Sequence, residues 1–358
     1  MTVPIPAATA PASIPAPESW IKVLPQGLYV EPGNFFVDPV RPAARAVITH
    51  GHADHARPNN ESVLATPETL AIMRARYGDA AGGSLQPLPY GERLRIGDVD
   101  VSFAPAGHVL GSAQAVLEYR GCRIVASGDY KRRADPTCAP FEPVPCDVFI
   151  TEATFGLPVF RHPPDEGEIA RLLHSVELFP ERSHVVGTYA LGKCQRVIAL
   201  LRKAGYDKPI FLHGALIPLC NLYRELGVEL GELRPATGLK KDAFVGHIVM
   251  APPSAVADRW ARRLPDPVVC MASGWMTVRQ RAKQRGVELP LVISDHADWD
   301  ELCQTIADVG APEIWVTHGR EEALVHYATH RGIRARALAL VGFDEEGQGE
   351  PPAQGELL

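Results

Sequence analysis

The sequence predicts an α/β protein with a β-rich first part, a middle block of alternating strands and helices, and a short returning segment. Three observations carry that prediction. Residues 20 to about 154 hold short apolar runs at strand spacing, separated by turn residues. From about residue 155, apolar strands alternate with amphipathic helical stretches, the pattern of a parallel sheet flanked by helices. Histidines and carboxylates recur where apolar strands end, first as a cluster at 50–55 and last at His318.

Bulk composition narrows the class. The 358 residues suit one large domain or two moderate ones. An apolar content of 46% and a charged content of 22% describe an ordinary globular chain. No apolar run reaches membrane-spanning length. Residues 1–17 are rich in Ala and Pro and lack a basic leader or an apolar core. They read as a disordered lead-in rather than a signal peptide. The seven cysteines are scattered and never form Cys-x-x-Cys. That points to a reducing, cytoplasmic setting and away from a disulfide scaffold or a zinc ribbon. The net charge of −6 does not mark a nucleic-acid binder, so any such surface must be local.

Taken in order, 35–38 is a short strand ending in a carboxylate, and 46–49 is a buried strand running into the histidine cluster. Residues 67–76 read as a helix with Pro at its start. Strands follow at 99–104, 113–119, 123–126 and 147–151. In the middle block, helices are expected at 166–179, 193–204 and 218–226. A further helix is expected at 254–264, capped by Ser254. The strands between them fall at 184–189, 209–212, 247–251 and 268–272, and a basic segment occupies 277–285. The returning segment offers strands at 291–293, 313–317 and 335–341, with helices at 298–309 and 321–331. The tail from 344 is acidic, Gly/Pro-rich and expected to be loose.

The chemistry centres on His50-Gly51-His52-Ala53-Asp54-His55. Imidazole nitrogens and a carboxylate oxygen are the donors that a borderline divalent ion prefers. His50 and His52 are two apart, so an extended segment points both to one side. Asp54 and His55 follow at the turn and can face a second point nearby. Further donors are His108, between glycines at a strand end, and Asp129, where a carboxylate can bridge two metals. Asp38 is placed to orient a histidine ligand. His296 and His318 follow late apolar strands. Each has a plainer reading alone: a hydrogen-bonded loop histidine, a turn cap, or an Asp-Pro turn.

The order His50-x-His52-x-Asp54-His55, His108, Asp129 resembles the metallo-β-lactamase superfamily. The block between Asp129 and His318 is similar to the cap of its β-CASP nuclease branch. Glu152, His296 and His318 match that branch's three additional motifs. The strings Ala-Leu-Gly-Lys-Cys-Gln at 190–195 and Met-Ala-Ser-Gly at 271–274 resemble cap segments of polyadenylation-type members. From Gly27 through Pro58, the chain is most like the bacterial ligase-associated DNA exonucleases.

The resemblance implies an αββα sandwich with an inserted cap. Its sandwich would occupy 18–155 and 289–343, its cap 156–288, and a flexible tail 344–358. It implies two divalent cations, zinc or alternatively manganese. One would be held by His50, His52 and His108, the other by Asp54, His55 and His318, with Asp129 between them. The groups expected to support catalysis are Asp54, His296, Glu152 and Asp38. The expected reaction is phosphodiester hydrolysis by an activated hydroxide, with His296 as general acid and Glu152 holding it. The resemblance implies a DNA exonuclease acting on ends in repair, with an ATP-dependent DNA ligase and a helicase as partners. An RNA-processing nuclease is the alternative, and a small-molecule hydrolase or a non-catalytic scaffold are further ones. Nucleic acid is expected to meet Lys131, Arg132, Arg133, Lys193 and Arg279, with Arg196, Arg281, Lys283 and Arg285 beside them. Each basic cluster also reads as a solvated helix face.

Overall fold

The computed structural model describes residues 14–338 and Leu340. Its strands form three sheets. The first runs, in spatial order, Ile21–Leu24, Gly27–Val30, Phe35–Val37, Arg45–Val47, Ser62–Ala65 and Ser84–Pro87. The second runs Arg334–Ala337, Glu313–Gly319, Val148–Ala153, Cys122–Ala126, Ala113–Tyr119, Val99–Pro105 and Arg93–Ile96. Two strands from the end of the chain thus complete a sheet begun near residue 93. The third sheet runs Leu233–Pro235, Ile210–Leu212, Ile248–Ala251, His184–Gly187, Val268–Ala272 and Leu289–Leu291, with every neighbouring pair parallel.

Eight α-helices lie among the described residues: α1 (Pro67–Tyr77), α2 (Asp165–Leu178), α3 (Lys193–Lys203), α4 (Ile217–Glu225), α5 (Pro253–Val256), α6 (Arg279–Gln284), α7 (Trp299–Val309) and α8 (Glu321–His330). None is long and apolar enough to cross a membrane.

Side-chain pattern explains the layering. The inner faces of the first two sheets meet through Trp20, Leu28, Val30 and Phe35 on one side and Val101, Phe103, Leu117 and Trp315 on the other. Leu70 and Met73 of α1 cover the outer face of the first sheet on Ala46, Ile48 and Val63. Leu302, Ile306, Leu324 and Ala328 of α7 and α8 cover the second on Phe149, Ile314 and Val316. The result is the αββα sandwich. Val148–Ala153 is buried at every position, as a strand covered on both faces requires. The third sheet packs Val186, Met250 and Cys270 against Ile169, Leu172, Val197, Ile198 and Tyr223 of α2, α3 and α4.

Several boundaries differ from expectation. The helix expected at 254–264 is only α5 followed by a 3-10 turn, Ala261–Arg263. It starts at Pro253, so Ser254 lies inside it and caps nothing. The Asp258 carboxylate accepts from the Arg259 N–H at 2.6 Å, a local bond that competes with the helical ladder. The strand expected at 291–293 falls at Leu289–Leu291, and the last strand ends at Ala337. Residues 339 and 341 of that expected strand, most of the 1–17 lead-in and the 344–358 tail lie outside the described residues. The strands Ser84–Pro87, Arg93–Ile96 and Leu233–Pro235 escaped the sequence reading because they are sheet edges. Their largely exposed side chains carry little apolar signal.

Candidate metal centre

Every expected ligand sits at or just past the end of a strand. The cluster at 50–55 follows Arg45–Val47 and closes into a turn, where the Ala56 N–H donates to the His52 carbonyl at 2.7 Å. His108 follows Val99–Pro105, Asp129 follows Cys122–Ala126, and Glu152 and His318 lie in Val148–Ala153 and Glu313–Gly319. Close approach depends on glycine beside Asp129. Gly128 has φ 56°, and a Cβ there would lie 2.6 Å from Thr49 Oγ1. Asp38 and His318 adopt the left-handed region themselves, with φ of 44° and 58°. A non-glycine residue holds that conformation only when its surroundings over-determine it.

Three groups of donor atoms converge, each with all its atoms within 4.8 Å of one another. They are His50, His52, His108 and Asp129; His55, Asp129 and His318; and Asp129, Glu152 and His296. Asp129 belongs to all three. Its Oδ2 lies 3.5 Å from His50 Nε2, 3.4 Å from His55 Nε2 and 3.8 Å from His108 Nε2. Asp54 stands at the margin of this set. Its Oδ2 is 3.8 Å from His55 Nε2, and it belongs to none of the three groups.

The outward nitrogens explain why the inward ones point as they do. Asp38 Oδ2 sits 2.8 Å from His55 Nδ1 and accepts the Thr49 hydroxyl at 2.5 Å. With its proton on Asp38, Thr49 Oγ1 is left to accept from His50 Nδ1 at 3.1 Å. The Asp295 carbonyl accepts from His108 Nδ1 at 2.8 Å, and the Leu191 carbonyl lies 3.3 Å from His52 Nε2. Oxygen acceptors outside fix the tautomers and turn lone pairs inward. Inside, His52 Nδ1 lies 3.1 Å from His50 Nε2 and 2.9 Å from His108 Nε2. Nitrogens this close, on the buried rings of His50 and His108 and the half-buried ring of His52, are spaced as a shared cation would hold them. The donor set therefore fits divalent metal ions.

Electrostatics agree with that fit. Burial, with neighbouring imidazoles, holds His50 and His108 well below the usual histidine range. Burial likewise lowers His318 to about 4, with the His55 charge adding to the effect. His55 goes the other way: burial depresses it, but the Asp129 and Asp54 carboxylates outweigh burial and raise it. Asp129 stays well below the carboxylate range because His55 overcomes the upward push of burial. Neutral His50, His108 and His318 beside an anionic Asp129 are in the protonation state that metal ligation requires, whereas His55 carries a proton that a metal ion at its Nε2 would have to displace.

Glu152 and His296 form a second unit beside Asp129. Glu152 accepts from His296 Nδ1 at 2.9 Å and from the Tyr130 N–H at 2.7 Å. Burial raises the Glu152 carboxyl. The His296 ring lies 4.7 Å from that of His108.

The basic residues near the site need correction. Lys131 and Lys193 are fully buried, and so is Arg196. Lys131 Nζ pairs with Asp135 at 2.6 Å and Lys193 Nζ with Asp295 at 3.1 Å. Arg196 meets Asp135, Asp165 and Asp295 and donates to the Ser294 carbonyl. Arg132 pairs with Asp308 at 2.7 Å, and Arg133 with Asp298 and Glu301 at 3.0 and 3.1 Å. A buried charge is stable only when paired, so Lys131, Lys193 and Arg196 hold the interior together instead of facing a phosphate, while Arg132 and Arg133 are half-buried. Arg279 is exposed on α6. Sequence reading missed Thr49, Asp135, Asp165 and Asp295. Asp295 had a signal, its place beside His296, but its partners come from elements far apart in sequence.

No family model matches the chain. A probable DNA ligase of Opitutus terrae is 28% identical over 324 residues, which is 89% of this chain and 31% of that protein. Ribonuclease TTHA0252 of Thermus thermophilus is 25% identical over 376 residues, 84% of this chain and 86% of that one. The cleavage and polyadenylation specificity factor subunit 3 of Dictyostelium discoideum is 30% identical over 151 residues, 39% of this chain and 19% of that one. This chain thus spans less than a third of the ligase relative. Among solved structures, a protein of unknown function from Enterococcus faecalis V583 has a TM-score of 0.56 at 14% identity, covering 84% of this chain and 80% of that one, a likeness of fold.

An αββα sandwich gathering histidines and aspartates at its strand ends defines the metallo-β-lactamase superfamily, and the relatives agree. Those relatives, a ribonuclease and endoribonucleases among them, support its β-CASP branch.

Proposed function

We propose that this chain is a metal-dependent nuclease that hydrolyses phosphodiester bonds, with DNA ends as its substrate in repair. The carrying observation is Asp129, one buried carboxylate shared by two histidine groups and flanked by the Glu152–His296 pair. When bound there, two divalent cations lower the pKa of a water and neutralise charge on the attacked phosphate. His50, His52, His108 and Asp129 would hold one, and His55, His318 and Asp129 the other, with Asp54 beside them. Zinc suits this donor set, and manganese is the alternative.

His296 donates the proton to the departing oxygen. Glu152 occupies Nδ1 and so leaves Nε2 for that transfer. Asp38 positions His55. In this reading residues 156–288 form the cap, and the nucleic acid lies between cap and sandwich.

The choice of DNA rests on likeness to the ligase relative. The name of that relative supports a DNA ligase as partner; an ATP-dependent ligase, a helicase and a cytoplasmic setting are what the resemblance to ligase-associated exonucleases adds to the proposal. RNA processing is the second reading, favoured by likeness to the ribonuclease along most of both chains. Digestion of 5′- and 3′-labelled single- and double-stranded DNA and RNA, with zinc, manganese or chelator, tests both. Metal-dependent shortening of DNA from one end is the expected result. Cleavage of RNA alone would establish the second reading, and no cleavage of either would remove both.

A further inference from the structure

Three of the basic residues expected to meet nucleic acid, Arg279, Arg281 and Lys283, lie together on α6. Residues 274–287 carry Arg279, Arg281, Lys283 and Arg285 and no Asp or Glu, in a chain of net charge −6. Arg279 and Lys283 are exposed and Arg281 half-buried. Among the described residues, these three make none of the side-chain ion pairs seen for Lys131, Arg132, Arg133, Lys193 and Arg196.

Arg281 is held in an unusual way. Its guanidinium carbon lies 4.1 Å over the centroid of the Trp275 ring. That indole is itself wedged against Phe155 at 4.8 Å and Phe160 at 5.2 Å. Phe155 reaches the His296 ring at 6.3 Å. Gly274 makes the wedge possible, since a Cβ there would lie 2.4 Å from Phe155 Cζ. Stacking restrains a guanidinium by its face and leaves the N–H donors at its edge available for an anion. Two ring contacts therefore connect His296 to the floor beneath a pre-oriented arginine.

We infer that α6 is a guide surface for the phosphate backbone of the strand entering the metal centre. Arg281 contacts one phosphate as a fixed fork, and Arg279 and Lys283 contact its neighbours. Recognition is by charge alone and is independent of base sequence. This deepens the nuclease reading and rests on it.

The test compares wild type with the Arg279→Ala, Arg281→Ala, Lys283→Ala triple variant. The probe is a fluorescein-labelled, phosphorothioate-linked single strand of about twenty nucleotides, titrated by anisotropy across a salt series. Turnover of the small diester bis(p-nitrophenyl) phosphate monitors the metal centre. The triple variant should bind about tenfold more weakly near 0.1 M salt. Its log–log salt slope should fall by about 2, from three lost contacts at about 0.7 each, with small-diester turnover unchanged. Arg95→Ala, at an arginine already paired with Asp98 and Asp100, should leave the slope as it is.

An unchanged slope in the triple variant overturns the proposal, as does a wild type that does not bind the strand. If the triple variant misfolds, the exposed pair Arg279→Gln, Lys283→Gln decides. Its slope should fall by about 1.4, and an unchanged slope overturns the proposal. Normal strand binding that weakens in the variants, with no cleavage of natural DNA or RNA, leaves the guide surface standing and removes the nuclease reading.

Discussion

The backbone carbonyl of Asp295 accepts a hydrogen bond from His108 Nδ1 at 2.8 Å, while its side chain meets Lys193 and Arg196 of α3 at 3.1 Å each. One residue thus ties a candidate metal ligand to a helix of the third sheet. Around Arg196, the Asp135, Asp165 and Asp295 carboxylates share a fully buried guanidinium.

Removing Arg196 leaves three buried carboxylates without their common partner. Breaking a buried pair from one side costs about 3–5 kcal/mol. Arg196→Met should therefore lower the urea midpoint substantially and, through Asp295, loosen His108. A midpoint within error of wild type would show that the network contributes no net stability.

Asp38 acts through His55. Its carboxylate holds Nδ1 at 2.8 Å and also takes the Thr49 hydroxyl that receives His50. Loss of such an outer carboxylate costs about 10–100-fold in metal affinity. Asp38→Ala, dialysed against buffered zinc, should retain less metal per chain by elemental analysis while its far-UV dichroism is unchanged. Asp38→Asn, which tolerates the left-handed backbone and keeps an oxygen acceptor, should retain more. Equal metal content in all three proteins counts against this role.

Replacing His296, the proposed general acid, tests proton transfer separately from ligation. As general acid, its replacement by alanine should lower kcat by about 10²–10⁴-fold. Metal content should stay at the wild-type level, because the groups around His50 and His55 are complete without it. A His296→Ala protein that also loses metal would make His296 a ligand of the third group.

Asp135 sets an acid limit on stability. Burial pushes its carboxyl up, but Lys131 and Arg196 overcome that and hold it at about 2. The unfolded chain takes up this proton near pH 3.9 and the folded chain only near 2, so stability is lost as pH falls between those values. The contribution is about 2 kcal/mol above that window. Denaturant midpoints measured from pH 5 to pH 2 should decline more steeply for wild type than for Asp135→Asn. Parallel curves would assign acid sensitivity elsewhere.

Much of this site was legible in the residues, and the reason is geometric. Parallel strands deliver their C-terminal ends to one edge, so histidines and aspartates after apolar runs, from His50 to His318, meet there. Reading the basic residues failed for a different reason. Lys131 and Lys193 look like surface charges by type, and only the fold brings Asp135 and Asp295 against them. Edge strands such as Arg93–Ile96 were missed because half of their surroundings is solvent.

The pairing of Glu313–Gly319 with Val148–Ala153 has a consequence for synthesis. A polypeptide leaves the ribosome N-terminus first. The donors of the His50 group are all made by residue 129, but the group completed by His318 must wait until the second sheet receives its late strand. A half-made chain therefore carries one metal group without the other. On the nuclease reading, the donor set therefore stays incomplete until that late strand has been made.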